Sequence, residues 1–284
     1  MNKIKKEEVE EIMKQYKLSN EEHENIFEKI KEIYFFNKKP VENPVAIIVG
    51  GQTGAGKTGL ISYSQNQFKD DNVVIINSDD IKAFHPYGAE IAKKYTELFT
   101  KITGQESDTW TSEIFEYAIE NKYNLIFEVP MKNNRIVKTI TKLRDNNFLV
   151  KVRGLAVSNT ESMMSVYERY VQQVKIRGWG RLVVPNHHNE TYIGMPNTID
   201  EIEKSNNYDV IEIFTRGEVP NKPKCIYSTE IKNEYISAKA AIYAGREKDK
   251  EIFKKNYNER LQNLIKIDNK NGLNAQKNIM DILS

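Results

Sequence analysis

The run Pro44-Val45-Ala46-Ile47-Ile48-Val49 leads straight into Gly51-Gln52-Thr53-Gly54-Ala55-Gly56-Lys57-Thr58. Consecutive β-formers without polar alternation read as a strand buried on both faces, as in a parallel sheet covered by helices. The segment after it matches G-x-x-x-x-G-K-[ST] in full and is followed by a helical pattern from about Lys57 to Phe68. Strand, glycine turn and helix in this register form the setting in which the motif cradles phosphate. The glycines allow backbone N–H groups to curve around an anion, and the helix N-terminus completes the nest. Gly51, Gln52, Thr53, Gly54, Ala55, Gly56, Lys57 and Thr58 are therefore the nucleotide-binding candidates. Lys57 is expected to reach the β- and γ-phosphates of ATP or GTP, and Thr58 to ligate Mg²⁺ through its hydroxyl.

The remaining pattern extends this P-loop into a sheet. Val73–Asn77, Leu125–Phe127, Phe148–Val152 with Leu155–Val157, and Asp209–Phe214 read as further strands. Helical stretches separate them at roughly 88–102, 107–121, 133–145, 159–178 and 188–206. Alternating strands and helices predict an α/β P-loop NTPase fold, with a mostly parallel sheet and helices on both faces. Residues 6–36 read as two amphipathic helices, with Val9, Ile12, Met13 and Tyr16 on one face and a new N-cap near Ser19. Tyr227-Ser228 ends a short edge strand, and 231–283 is charged and helical in pattern. The chain thus divides into an N-terminal helical segment (1–40), a P-loop core (41–218) and a C-terminal helical extension (219–284).

Composition narrows the class. The 284 residues carry 42 basic and 40 acidic side chains, a balance that argues against a nucleic-acid binder. Cys225 is the single cysteine, so no internal disulfide forms, and a partly buried apolar role fits it better than a nucleophile. Met1 to Glu8 lacks an apolar signal core, and no apolar run reaches the ~18 residues of a membrane span. The expected location is the cytoplasm. A guanine-reading Asn-Lys-x-Asp is missing, since Asn121-Lys122 and Asn269-Lys270 lack the aspartate, so elimination favours a compact kinase. A nucleotide-dependent binding switch stays open at this level.

Ligands of parallel sheets bind at the carboxyl ends of strands, which directs attention to the acids placed there. Asp79 follows the run Val73–Asn77 and is the candidate base for a substrate hydroxyl, while Asp80 reads better as a turn cap. Glu128 closes the run Asn124–Phe127, where a carboxylate requires a partner such as a substrate hydroxyl. Phosphoryl transfer also calls for planar cationic donors on the equatorial oxygens. The pattern of the chain alone singles out no arginine for that role. His85, His187 and His188 lack a matching cysteine or acid cluster, so turn and capping roles fit them better than zinc. Trp110 and Trp179 read as packing residues.

Several of these segments together resemble the zeta-toxin family. The resemblance rests on Val41-Glu42-Asn43-Pro44, the glycine loop, Asn77-Ser78-Asp79-Asp80-Ile81-Lys82 leading to His85-Pro86, Tyr123 to Glu128, Glu168-Arg169-Tyr170, and Arg181 to His188. It covers roughly residues 41–216. Zeta toxins are kinases that transfer the γ-phosphate of a nucleoside triphosphate to the 3′-hydroxyl of the amino sugar of UDP-N-acetylglucosamine, and they usually work against a small helical antitoxin. The resemblance implies phosphate and metal roles for Lys57 and Thr58. It makes Asp79 the base, Glu128 the acid near the sugar, and Arg169 and Arg181 the pair that clamps the transferring group. Glu113 matches a second substrate-facing acid, and Lys132 stands where an arginine could meet a diphosphate. The chain departs from the family at Val129-Pro130, where Gly-Thr is common, and at Thr53, where proline is frequent. The first departure faces the acceptor and leaves room for another small-molecule hydroxyl, such as that of an antibiotic or nucleoside. The N-terminal helices read as a stabilising layer, with an antitoxin-like element in cis as the other reading.

Overall fold

The computed structural model describes residues 6–178, 180, 183, 185–217 and 222–283. Two helices come first, α1 (Lys6–Gln15) and α2 (Asn20–Phe35). Ser19 caps α2 in a reciprocal box: its hydroxyl accepts from the Glu22 amide, and Glu22 accepts from the Ser19 amide. The core then runs β1 (Val45–Gly50), α3 (Lys57–Gln65), β2 (Val74–Ile76), α4 (Ser78–Ile81), α5 (Gly88–Lys94), α6 (Phe99–Glu120), β3 (Leu125–Val129), α7 (Arg135–Asp145), β4 (Leu149–Leu155), α8 (Asn159–Arg177), α9 (Pro185–Ser205) and β5 (Val210–Thr215). The edge strand β6 (Lys224–Ser228) and the helices α10 (Ala238–Ile267) and α11 (Asn269–Leu283) complete it.

Among the described residues six strands form one sheet, in the order β2-β3-β1-β4-β5-β6. The first five are parallel, and only β6 runs antiparallel, against β5. This is the α/β arrangement the strand–helix alternation predicts. The central strand β1 has neighbours on both sides, which explains its unbroken apolar sequence; Ala46, Ile47, Ile48 and Val49 are all buried.

One helix boundary differs from expectation. The break expected near residue 103 lies instead at 95–98, in a 3-10 turn, and α6 runs on through Gly104. Ile102, Ser107, Trp110 and Ile114 are buried along α6, and that burial outweighs the modest cost of one helical glycine. The two apolar runs read together as the fourth strand form one β4, with Arg153 and Gly154 inside it.

The terminal segments share the core of the central one. A single buried cluster joins Leu18 and Ile30 to Ile48 and Val152 of the sheet and to Ala241 and Ile242 of α10. Another joins α8 to α10 and α11. Among the described residues no helix is long and apolar enough to cross a membrane.

Candidate active site

The carboxyl ends of β1, β2 and β3 lie side by side, so the segments leaving them converge. From β1 comes the glycine loop. Gly54 (φ 80°) and Gly56 (φ 96°) hold left-handed backbone, which L-residues with a Cβ rarely adopt. A Cβ on Gly54 would also collide with the carbonyl of Ser162 on α8. Thr53, Gly54, Gly56, Lys57 and Thr58 line a pocket of about 490 Å³, together with Asp79, Glu128 and Arg169. Residues as distant in sequence as Thr53 and Arg169 are thereby brought to one cavity.

The other loop residues act differently. Gln52 is fully buried, and its amide donates to the Val157 carbonyl at 2.8 Å and to Ser162 Oγ at 3.2 Å. Its side chain therefore pins the loop to the end of β4 and the start of α8 instead of facing the pocket. Ala55 is buried as well.

Lys57 Nζ donates to the carbonyls of Gly51 (2.9 Å) and Gln52 (3.2 Å) and lies 3.5 Å from Glu128 Oε1. Burial lowers the Lys57 pKa, against the pull of Glu128 and Asp79. Burial likewise raises that of Glu128, which Lys57 opposes and Asp79 reinforces. The two groups form a desolvated pair, and phosphate oxygens at the loop would favour the charged form of Lys57.

Asp79 lies in the first turn of α4. Asn77, at the end of β2, is the N-cap that accepts from the Asp79 amide at 2.8 Å, so neither Asp79 nor Asp80 serves as the cap. Lys82 Nζ donates to Asp79 Oδ1 at 2.7 Å. The Asp79 side chain is half exposed, and it is one of the groups lining the cavity. Glu128 lies within β3, opposite Val49 in register, and accepts from Asn77 Nδ2 at 2.8 Å. The Thr58 hydroxyl and the Asp79 carboxylate line the same pocket, a hard-oxygen donor set that suits Mg²⁺.

The family model for zeta toxin matches residues 27–232. The chain belongs to the zeta-toxin family. The match extends beyond the 41–216 that the motifs cover and takes in most of α2 and all of β6. A toxin zeta of Streptococcus agalactiae is 26% identical over 200 residues, 70% of this chain and 69% of that one. Toxin PezT of Streptococcus pneumoniae serotype 4 is 25% identical over 195 residues, 68% of this chain and 75% of that one. In fold, this zeta-toxin family member is similar to a chain solved for the PezAT chromosomal toxin–antitoxin system of S. pneumoniae, with TM-score 0.75, 21% identity, and coverage of 88% of this chain and 98% of that one. A more distant fold likeness is to a chain of an AvrRxo1-ORF1:-ORF2 crystal with ATP, with TM-score 0.53, 12% identity, and coverage of 85% and 77%.

Not every site expected from the family resemblance sits at the cavity. Glu113, on α6, meets His23 Nε2 at 3.1 Å, and His23 Nδ1 contacts Glu106 at 2.7 Å. Lys132 lies 3.5 Å from Glu190 of α9. Neither lines the pocket. Arg181 and Trp179 lie outside the described residues. His188 is buried, with Nε2 2.9 Å from Ser162 Oγ, and Trp110 is fully buried with its ring stacked on His23. Cys225 is exposed on edge strand β6, contrary to the partly buried position expected.

The sequence reading missed Arg216. It lines the pocket beside Gly217, and its guanidinium donates to the loop carbonyls of Gly54 and Ala55 and to Glu161. It directly follows β5, so the strand-end rule that singled out Asp79 would have found it too. Lys82 and Asn77 carry no comparable signal, because their roles depend on which acid each one faces.

Proposed function

We propose that this zeta-toxin family member is a kinase that transfers the γ-phosphate of ATP to the 3′-hydroxyl of the amino sugar of UDP-N-acetylglucosamine. The observation that carries this reading is the convergence of Lys57, Asp79, Glu128 and Arg169 on one pocket that begins at a complete phosphate loop. Loop amides and Lys57 hold the donor phosphates. Thr58 would hold Mg²⁺ through its hydroxyl, and the ion would supply charge neutralisation for the donor phosphates. Asp79 takes the proton from the acceptor hydroxyl, with Lys82 holding its carboxylate in place. Arg169 meets the oxygens of the group in flight, and Arg181 is proposed as its partner in that role. Glu128, held by Asn77, faces the acceptor sugar.

The same reading makes the protein the toxin of a toxin–antitoxin pair acting in the cytoplasm, with a small helical antitoxin as its partner. Similarity to toxin zeta and PezT supports it. Incubation of pure protein with ATP, Mg²⁺ and UDP-N-acetylglucosamine should yield a phosphorylated sugar nucleotide by mass spectrometry, and Asp79→Ala should abolish it. Wild-type protein that leaves the sugar nucleotide unmodified would overturn the assignment of the acceptor.

A second reading is a related phosphotransferase acting on another hydroxyl, such as an antibiotic or nucleoside. The positions of Glu113 on His23 and of Lys132 beside Glu190, both away from the pocket lining, favour it. A panel of hydroxyl acceptors assayed for ATP-dependent phosphorylation separates the two.

A further inference from the structure

Helix α8 carries Arg169 and lies between the phosphate loop and the C-terminal hairpin. Its inner side meets the loop, where Ser162 and Val166 crowd Gly54. Its outer side is buried against the hairpin, with Met164, Tyr167 and Val171 packed with Phe253, Leu264 and Ile279. Nothing in the phosphotransfer chemistry itself calls for α10 or α11. A chain of charged groups nevertheless runs from α10 to the loop. Arg260 of α10 donates in two parallel bonds to Glu168, from Nε at 2.8 Å and from Nη2 at 2.7 Å. Its Nη1 donates to Glu161. The other oxygen of Glu161 accepts from Arg216, which donates in turn to the carbonyls of Gly54 and Ala55. Ser165 Oγ sits among them, 3.1 Å from Glu161 and from Arg216, and lines the pocket.

The register of α8 gives this chain its significance. Glu161, Ser165 and Glu168 are spaced i, i+4 and i+7 and so form one stripe. Arg169 is the neighbour of Glu168 and lies four residues beyond Ser165. Whatever fixes the rotation of that stripe fixes where Arg169 projects. A planar fork bonded in two places to one carboxylate and once to another resists rotation far better than a single ammonium contact. Glu161 is mostly buried and pairs with two arginines at once, so removal of either leaves its charge undercompensated.

We infer that Arg260 is a positioning residue. Through Glu168 it sets the projection of Arg169, and through Glu161 and Arg216 it sets the shape of the phosphate loop, so the C-terminal hairpin is a working part of the phosphotransfer site. The inference rests on the phosphotransfer reading for its kinetic consequence but not for its structural one.

The test uses the full chain with Arg260→Gln, Arg260→Lys and Glu168→Gln. Each is measured for thermal midpoint, for kcat and nucleotide KM well below that midpoint, and for amide hydrogen exchange at residues 51–58 and 162–171. Arg260→Gln is expected to lower kcat about tenfold, since small misplacement of a reacting group is costly. Exchange at both segments should rise, and Arg260→Lys should recover only part of each effect. Glu168→Gln removes the two-bond arm alone and should loosen 162–171 more than 51–58. A lowered midpoint with kcat and local exchange unchanged would make Arg260 a packing residue and overturn the inference. Should Arg260→Gln fail to fold, Glu168→Gln and Arg260→Lys still decide, because unchanged kcat and exchange in both contradict the positioning role. If wild-type protein phosphorylates no acceptor, the proposed reaction fails, and loop exchange with the affinity for a fluorescent ATP analogue then tests the positioning role by itself.

Discussion

Asn77 Nδ2 donates to Glu128 Oε2 at 2.8 Å, across the pairing of β2 with β3. The same side chain accepts from the Asp79 amide through Oδ1. One amide thus caps the helix that carries the candidate base and holds the acid on the neighbouring strand. Asn77→Ala removes both contacts. Loss of the cap costs about 1 kcal/mol, and loss of a donor to a half-buried carboxylate adds on the order of 1 kcal/mol. Urea unfolding should show the combined decrease, and phosphotransfer should fall more than nucleotide affinity. Asn77→Asp keeps a competent cap but exchanges the donor to Glu128 for a second carboxylate, so it should cost stability through the lost bond and the added repulsion. An unfolding midpoint unchanged in both variants would remove Asn77 from this role.

Lys82 is expected to matter for rate more than for stability. Its ammonium is buried, whereas its partner Asp79 is half exposed. An ion pair so open to water stabilises the fold by well under about 1 kcal/mol. The contact does restrict where the Asp79 carboxylate can point. Lys82→Met, which keeps the buried stem, should therefore lower kcat by about tenfold while nucleotide affinity holds. Isothermal titration with a non-hydrolysable ATP analogue, run beside turnover assays, gives both numbers. Equal losses in affinity and rate would point instead to a distorted loop.

Most of the residues that line the pocket carry a local sign in the sequence, and the others do not, for a physical reason. Lys57, Thr58 and Asp79 stand at fixed short offsets from strands whose apolar runs are unmistakable, so chain geometry alone brings them together. Arg169 required the family resemblance, because a helix interior carries no strand-end signal. Glu113 matched the family by position, yet its carboxylate is held by His23, a residue 90 positions earlier that no local pattern links to it. Arg153 carries no local sign of its role inside β4, because its partner Glu212 lies on β5, 59 positions later.

His23 predicts a pH-dependent link between α2 and α6. Burial opposes its charge, but hydrogen bonds and attraction from Glu106 and Glu113 outweigh that and raise its pKa above the ordinary 6.5. A raised pKa means that the folded state binds the proton more tightly than the unfolded chain. The stabilisation is complete below the unfolded value and disappears as pH rises through the folded one. Wild-type protein should therefore exceed His23→Gln in denaturant midpoint at pH 6, with the gap narrowing by pH 8.5. A gap of equal size at both pH values would show that stacking on Trp110, and not charge, is what His23 contributes.

Arg153 offers the sharpest stability prediction. It is 1% exposed in the middle of β4, directly opposite Glu212 in the sheet register. Its Nε donates to Glu212 at 2.7 Å, Nη1 to Ser64 Oγ at 2.6 Å and Nη2 to Gln67 at 2.9 Å. Ser64 lies in the last turns of α3, the helix that begins at Lys57, so this guanidinium anchors the far end of the phosphate-loop helix to the sheet. Arg153→Met leaves Glu212 without its partner in a largely buried setting, and breaking such a pair costs about 3–5 kcal/mol. The double variant Arg153→Met with Glu212→Leu removes both charges and should regain most of that loss, because apolar replacement of a buried pair is often neutral. Nucleotide affinity should nonetheless stay reduced in the double variant, since the tie from the sheet to Ser64 is gone in both. Chemical denaturation read alongside nucleotide titration tests the two effects separately. Full recovery of affinity together with stability would show that Arg153 serves the sheet alone.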